Sequence, residues 1–251
     1  MSDDNKQVAK TEEAGLPAEI VDILGEAAGE GATFDRSELS TPFFTILQDL
    51  SPQVKKNRPE YIEGAEAGDL FLTTPATILE SAHLVFLAHA KVIQGWRDRK
   101  AGGGFIGAWK PGGEPQDTVQ AEGEYFLRLK EDPQITIIET LQYIAMVCDE
   151  ESKPIGVAQI SFKSTALKYA RQLNGQIATR KISAPDGSKV QPPIWGLIIP
   201  VTSQDEQNDQ HSWYSWKFGE AATITDVDLL VACRDASRKV DPNVFYRETR
   251  D

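Results

Sequence analysis

Apolar and polar residues alternate over most of the chain from residue 69 onward, and this pattern predicts β-strands. Each alternating segment is bounded by Gly, Pro, Asp or Asn, the residues that favour turns. The predicted strands are Asp69–Thr73, Leu84–Trp96, Gly104–Trp109, Glu124–Lys130, Thr136–Val147, Ile155–Phe162, Ile194–Thr202 and Ser212–Phe218.

Only two segments of this region have the apolar spacing of an amphipathic helix. They are Ser164–Ile177 and Thr225–Lys239, and their first residues are types that cap helix N-termini. A parallel α/β sheet requires a helix between most successive strands, so this small helical content argues against one. The pattern therefore predicts a mainly β fold: an OB-like, partly open β-barrel with an internal helix and a C-terminal helix, or a β-sandwich.

The first 40 residues differ from the rest in composition. They carry ten of the 38 acidic side chains and three of the 26 basic ones, in a chain of net charge −12. They contain few large apolar residues, so residues 1–40 are predicted to be a disordered acidic arm. Within the arm, Leu16, Ile20, Ile23 and Leu24 have helical spacing, which indicates a transient helix or one that docks on a partner. Residues 41–251 are predicted to form a single β-rich domain.

The sequence contains none of the common patterns of enzyme active sites. Gly102–Gly104 lacks the spacing of a dinucleotide-binding or phosphate-binding loop. His83 and His89 would share one face of an unbroken strand about 20 Å apart, too far to bind one metal ion. Cys148 and Cys233 stand in apolar sequence without a nearby partner, so free buried thiols are expected. The sequence therefore predicts no enzyme, no cofactor and no metal.

Two acidic segments, residues 148–152 and 202–210, fall where strand pairs must turn. They are interpreted as solvated hairpin loops rather than cation sites. The longest apolar run, Ile194–Val201, is far shorter than the roughly 20 residues that cross a bilayer, and no secretory signal is seen. We therefore expect no membrane partner and a cytoplasmic location.

Tryptophan and basic residues cluster in the segment GWRDRKAGGGFIGAW, residues 95–109. Every nucleobase has a π face, so aromatic rings beside cations bind single-stranded nucleic acid with little sequence preference. Arg97 and Arg99, two apart on an extended segment, would face the same way and follow successive phosphates. The alternative is that Trp96 and Trp109 pack in the core and the charges solvate a loop.

Three further segments combine aromatic and basic residues. SWYSWKF, residues 212–218, would place Trp213 and Lys217 on one face of a strand and Trp216 on the core face. Basic residues also recur in residues 55–58 and 163–181, although a solvated helix face explains the latter almost equally well. The candidate nucleic-acid-binding residues are Lys55, Lys56, Arg58, Trp96, Arg97, Arg99, Lys100, Phe105, Trp109, Lys110, Lys163, Lys168, Arg171, Arg180, Lys181, Trp213 and Lys217.

Parts of the chain resemble a family of tailed-phage proteins described as single-stranded DNA-binding proteins of OB-fold type. The resemblance covers roughly residues 41–240 and rests on TPFFTILQDLSPQVKKNRPEYIEGAEAGDLF (41–71), on the Trp-Arg and Gly-Gly-Gly-Phe stretch (96–105), and on SWYSWKF followed by a helix. It implies sequence-nonspecific coating of single-stranded DNA in phage replication or recombination. Residue by residue, it points only to Trp96–Trp109 and Trp213–Lys217.

The resemblance also bears on partners. Many such proteins recruit replication or recombination proteins through an acidic C-terminal tail, whereas the acidic segment here is N-terminal, so recruitment by this arm is a weaker expectation. Assembly into homo-oligomers is compatible with the resemblance. Binding to single-stranded DNA should weaken steeply with salt. The alternative function is that of a phage structural or host-protein-interaction protein that acts through its acidic surface.

Overall fold

The structure is a computed structural model, and it describes residues 41–120, 126–209 and 211–248. The predicted acidic arm, with its candidate helix, lies outside the described residues. The strands, in chain order, are β1 (Phe44–Ile46), β2 (Leu70–Leu72), β3 (Thr77–Leu79), β4 (Ser81–Arg97), β5 (Phe105–Trp109), β6 (Thr118–Val119), β7 (Leu127–Leu129), β8 (Ile135–Cys148), β9 (Pro154–Lys163), β10 (Ile182–Ser183), β11 (Lys189–Val190), β12 (Leu197–Gln207), β13 (Ser212–Phe218), β14 (Ala222–Thr223) and β15 (Arg247–Glu248).

Two α-helices accompany these strands in the described part of the chain: α1 (Leu167–Thr179) and α2 (Val227–Lys239). Short 3₁₀ turns connect several elements, at Pro52–Val54, Arg99–Ala101, Ser164–Ala166, Ile194–Gly196 and Pro242–Phe245. Neither helix has the length and apolar content needed to cross a bilayer, a statement that covers the described residues alone.

The long strands β4 and β8 form the centre of the main sheet and pair antiparallel from His83 opposite Cys148 to Arg97 opposite Ile135. The beginning of β4 also pairs with β12 and its end with β5. In the same way, the beginning of β8 pairs with β7 and the rest with β9. Because the central strands exchange neighbours along their lengths, the sheet curls into a half-barrel.

The two faces of this sheet carry separate hydrophobic clusters. One contains Phe86, Tyr143 and Phe162 and is covered by α1 through Leu173. The other contains Val92, Ile144 and Phe245, and α2 packs against it. The predicted mainly β, partly open barrel with two helices is confirmed.

A β-bulge in β4 interrupts the alternation between Phe86 and Ala88. The extra residue changes which face later side chains take. His83 pairs with Cys148, whereas His89 pairs with Tyr143, and these two partners belong to opposite core clusters. The expectation that the two histidines share a face is therefore wrong.

The structure corrects three further local predictions. Ser164 has φ +51° and lies in a 3₁₀ turn before α1, so it does not cap that helix. The cap of α2 is Asp226 rather than Thr225, because the Asp226 carboxylate accepts a hydrogen bond from the Leu229 N–H at 2.9 Å. The acidic segment 202–210 is mostly strand, since β12 continues to Gln207. The two cysteines are free and buried, as predicted.

Candidate nucleic-acid interface

Three of the predicted binding residues meet at one end of the main sheet. Lys163 ends β9, and its Nζ lies 4.4 Å from the centre of the Trp96 ring near the end of β4. The ring of Phe105, at the start of β5, meets the Trp96 ring edge-on at 5.3 Å. We call Trp96, Phe105 and Lys163 the Trp96 cluster.

Strand register explains why these side chains meet. Thr140 of β8 pairs with Val92 on one side and with Lys163 on the other. Side chains directly opposite each other in neighbouring strands share a face, and so do residues two or four apart. Lys163 and Trp96 are therefore on the same face, the one against which α2 packs.

The Trp96 cluster borders a cavity of about 540 Å³. Its aromatic lining includes Phe43, whose side chain keeps 44 % of its surface exposed. Its polar lining comprises three glutamines, one serine and one threonine besides Lys163: Gln94, Gln142, Gln159, Ser161 and Thr45. All three glutamines are buried residues. Cavities of roughly 300–1,000 Å³ with apolar walls and a few convergent polar groups are typical of small-ligand sites.

Hydrogen bonds hold part of this polar lining in place. The Gln94 Oε1 accepts bonds from the Trp96 Nε1–H at 3.1 Å and from the Thr140 hydroxyl at 3.2 Å. The Gln142 Nε2 donates to the Ser161 Oγ at 3.3 Å. The Gln142 Oε1 is buried and has no hydrogen-bond partner among the described residues.

Charges beside the Trp96 cluster are partly neutralised. Asp132 binds Arg97 at 3.0 Å, and Asp98 binds Arg128 at 2.9 Å. Burial lowers the pKa of Lys163, and the positive charge of Arg99 lowers it further. Arg99 and Lys100 are exposed on the 3₁₀ turn Arg99–Ala101. Because β4 ends at Arg97, the expectation that Arg97 and Arg99 share one extended segment is wrong.

Trp109 lies on the opposite face of the sheet from Trp96. It pairs with Ile93, and its ring covers Gly95 and Gly107, where a Cβ atom would approach the ring to 2.9 and 2.6 Å. Lys110 directs its Nζ over the Tyr246 ring at 5.2 Å. The two tryptophans that bound the sequence segment 95–109 therefore do not form one stacking surface.

Trp213 belongs to a second group, centred on Glu206 of β12. The Glu206 carboxylate accepts hydrogen bonds from Lys168 at 2.7 Å, from the Trp213 Nε1–H at 3.0 Å and from the Ser215 hydroxyl at 2.9 Å. The Tyr169 hydroxyl donates a further bond. Desolvation would raise the pKa of Glu206, but the hydrogen bonds from Lys168, Tyr169 and Ser215 and the charge of Lys168 outweigh it and lower the pKa to about 2. This carboxylate neutralises Lys168.

The remaining candidate cations are spread over the surface. Arg171 lies 3.6 Å from Glu139, and Arg180 lies 3.3 Å from Glu220. Lys55, Lys56 and Arg58 follow the 3₁₀ turn Pro52–Val54, and Lys181 and Lys217 are exposed. The structure thus brings three predicted binding residues into contact, and Arg99 is close enough to lower the pKa of Lys163. Arg97 and Lys100 neighbour this cluster along the chain, and the remaining candidates lie elsewhere.

Several residues of this arrangement were missed by sequence reasoning. They are Phe43, Gln94, Gln142, Gln159, Ser161 and Glu206. The sequence did contain one indication of these residues: Gln142 and Gln159 interrupt strongly apolar strands. A polar side chain in such a strand needs a hydrogen-bond partner. No group of three or more His, Cys, Asp or Glu side chains suited to a metal ion occurs within the described ranges.

Comparison with known proteins places the chain among phage proteins. No curated protein and no solved structure matches it. The family model of the Pam3 phage gp34-like protein matches residues 10–241, which is most of the chain. The phage origin implied by the sequence resemblance is thereby confirmed, while its single-stranded DNA binding stays a prediction. The chain belongs to the Pam3 phage gp34-like protein family.

Proposed function

We propose that the protein binds single-stranded DNA, without sequence preference along the strand, during phage DNA replication or recombination. The observation that carries the proposal is the Trp96 cluster, in which a cation from β9 lies over a tryptophan of β4 at the edge of a cavity. Aromatic rings beside cations, on the face of a curled sheet, are the common means by which single strands are bound.

Each member of the cluster has a separate role in this proposal. Trp96 and the exposed Phe43 supply rings on which bases stack, each stack contributing about 1–3 kcal/mol. Lys163 covers one face of Trp96, so a base stacks on the other face or displaces the ammonium group. Lys163 and Arg99 then bind phosphates of the strand.

The ion pairs restrict the size of the proposed interface. Arg97, Lys168, Arg171 and Arg180 each contact a carboxylate in the described structure. A cation that keeps its carboxylate contributes little attraction to a phosphate, so a long basic groove through these residues is not favoured. The proposed interface is a short one that contacts few phosphates and takes much of its affinity from stacking.

A second candidate function is favoured by the excess of acidic residues. Each ion pair uses one acid and one base, so the excess remains, and the full chain carries a net charge of −12. A protein with such a surface suits a basic partner, so a phage structural or host-interaction role is the alternative. A stoichiometric host protein recovered with this chain after nuclease treatment supports the alternative.

Tryptophan fluorescence tests the proposal with a matched pair of variants. W96F removes the indole of the Trp96 cluster, whereas W109F makes the same change on the opposite face of the sheet. We expect an unlabelled single strand to quench the fluorescence of the wild type and of W109F, and the quenching to be largely lost in W96F. Absence of both quenching and a mobility shift at low salt contradicts the proposal.

A further inference from the structure

The side chain of Gln142 carries a buried polar atom without a partner beside the cavity. Only 2 % of this residue is exposed, and its Oε1 has no hydrogen-bond partner among the described residues. A buried acceptor without a partner destabilises the fold, so native proteins rarely retain one without a reason. This oxygen has almost no accessible surface, so a ligand in the cavity reaches it when the Gln142 side chain turns toward the cavity, and a hydrogen bond donated there removes the destabilisation.

Two more amides border the same cavity. The Gln94 Oε1 is occupied by Trp96 and Thr140, whereas its Nε2 makes no hydrogen bond within the described ranges. The side-chain amide of Gln159 likewise makes none there. The cavity is therefore lined by side-chain amides from three neighbouring strands, and one acceptor among them is buried without a partner within the described residues. A fitting ligand has donors and acceptors side by side on its edge.

The other residues that line the cavity indicate the shape and charge of a fitting ligand. The rings of Phe43, Trp96 and Phe105 suit a flat molecule with apolar faces, and Lys163 places a cation beside them. A nucleobase has this combination of a π face and an edge of alternating donors and acceptors. A base extruded from a single strand is recognised in this way, by stacking and by hydrogen bonds to its edge.

We infer that the cavity is a binding site for one nucleobase, whose edge pairs with the amides of Gln142 and Gln159 while its phosphate lies at Lys163. The base comes either from a bound strand or from a free nucleotide. The first source rests on the proposed function, and the second does not.

Calorimetry of the full chain distinguishes these sources. The probes are a 20-nucleotide single strand of mixed sequence, the four deoxynucleoside 5′-monophosphates and deoxyribose 5-phosphate, which lacks a base. The test variant is Q142L, which removes the unpaired acceptor but keeps the size of the side chain. Q172L, on the exposed surface of α1, is the matched control.

We expect Q142L to weaken binding of the strand or of a nucleotide at least tenfold, and Q172L to change it less than twofold. Q142L removes the unsatisfied buried acceptor and also the Nε2 hydrogen bond to Ser161, so the two effects offset each other and its denaturation midpoint should change little. A structural role alone would instead lower that midpoint clearly. If Q142L does not fold, Q159L gives the same comparison.

The other outcomes separate this inference from the proposed function. Strand binding that is unaffected by Q142L and Q159L overturns the base site but leaves strand binding intact. Nucleotide binding that depends on Gln142, without strand binding, supports the base site and overturns the proposed function. Deoxyribose 5-phosphate that binds as tightly as the nucleotides overturns the base site, and failure of every probe to bind overturns both.

Discussion

The Nζ of Lys163 lies 4.4 Å from the centre of the Trp96 ring. The two residues lie at or near the ends of β9 and β4, the strands that flank β8. A cation over a tryptophan contributes about 0.5–2 kcal/mol, depending on how far it is desolvated. Lys163 is an exposed residue, and burial of part of its side chain lowers its pKa. Two residues that the sequence predicts to bind nucleic acid therefore lie in contact at one position in the fold.

The salt dependence of strand binding should be shallower than the sequence alone indicates. Lys163, Arg99 and Lys100 are the cations at or beside the Trp96 cluster, and each phosphate contact on a single strand contributes about −0.7 to the slope of log K against log salt. About three contacts give a slope of about −2. A titration from 50 to 200 mM salt measures it. A slope steeper than about −5 would show that the ion-paired cations also contact the strand.

Glu206 should stabilise the fold at neutral pH. E206Q weakens hydrogen bonds from Lys168, Trp213 and Ser215, so we expect it to cost about 1–3 kcal/mol of unfolding free energy at pH 7. E220Q, which affects only the exposed pair with Arg180, should cost less than about 0.5 kcal/mol. Urea denaturation measures both, and equal costs would contradict the central role of Glu206.

The same carboxylate predicts a direction of pH dependence. The folded-state pKa of Glu206, about 2, lies below its usual value of 4.5. Its contribution is therefore complete above pH 4.5 and is lost as the pH falls toward 2. The stability difference between the wild type and E206Q should shrink over this range. A difference that stays constant from pH 6 to pH 2.5 would show that the carboxylate is not stabilised as described.

Replacing either of two glycines by alanine should change the stability of the fold, in opposite directions at the two positions. At Gly107 a Cβ atom would lie 2.6 Å from the Trp109 ring, so G107A forces the ring to move and should cost about 1–3 kcal/mol. At Gly175, in the middle of α1, a Cβ atom meets nothing within 4 Å, so G175A should stabilise by about 0.5–1 kcal/mol. Thermal unfolding compares them. A neutral G107A would mean that Trp109 does not pack on β5 as described.

Much of the fold follows from alternation in the sequence. The strand Ser212–Phe218 is predicted to the residue, and β4, β8 and β9 are found within a few residues of their ends. These strands are long and bounded by turn-forming residues, so local pattern and tertiary structure agree. The acidic end of β12 is different, because pairing with β13 extends the strand through residues of low strand propensity up to Gln207.

The composition of the candidate site could be predicted only in part. Trp96, Phe105 and Lys163 stand out as residue types, but their meeting depends on the register of β4, β8 and β9, which single-strand patterns do not determine. The bulge after Phe86 likewise reverses the faces that strict alternation predicts. Ion pairs such as Lys168 with Glu206 join distant segments, so the sequence alone does not show which candidate cations lie beside carboxylates.

Lysine substitution tests the central claim most directly. K163A removes the cation over Trp96, and K153A removes an exposed lysine that directly precedes the first residue of β9. Each variant therefore changes the net charge of the protein by the same amount. Affinities for a labelled 20-nucleotide single strand are compared by fluorescence anisotropy at low salt. We predict that K163A binds about tenfold or more weakly than the wild type and that K153A binds within twofold of it. Equal affinities of the two variants, or no binding by the wild type, would contradict a single-strand site at Trp96 and Lys163.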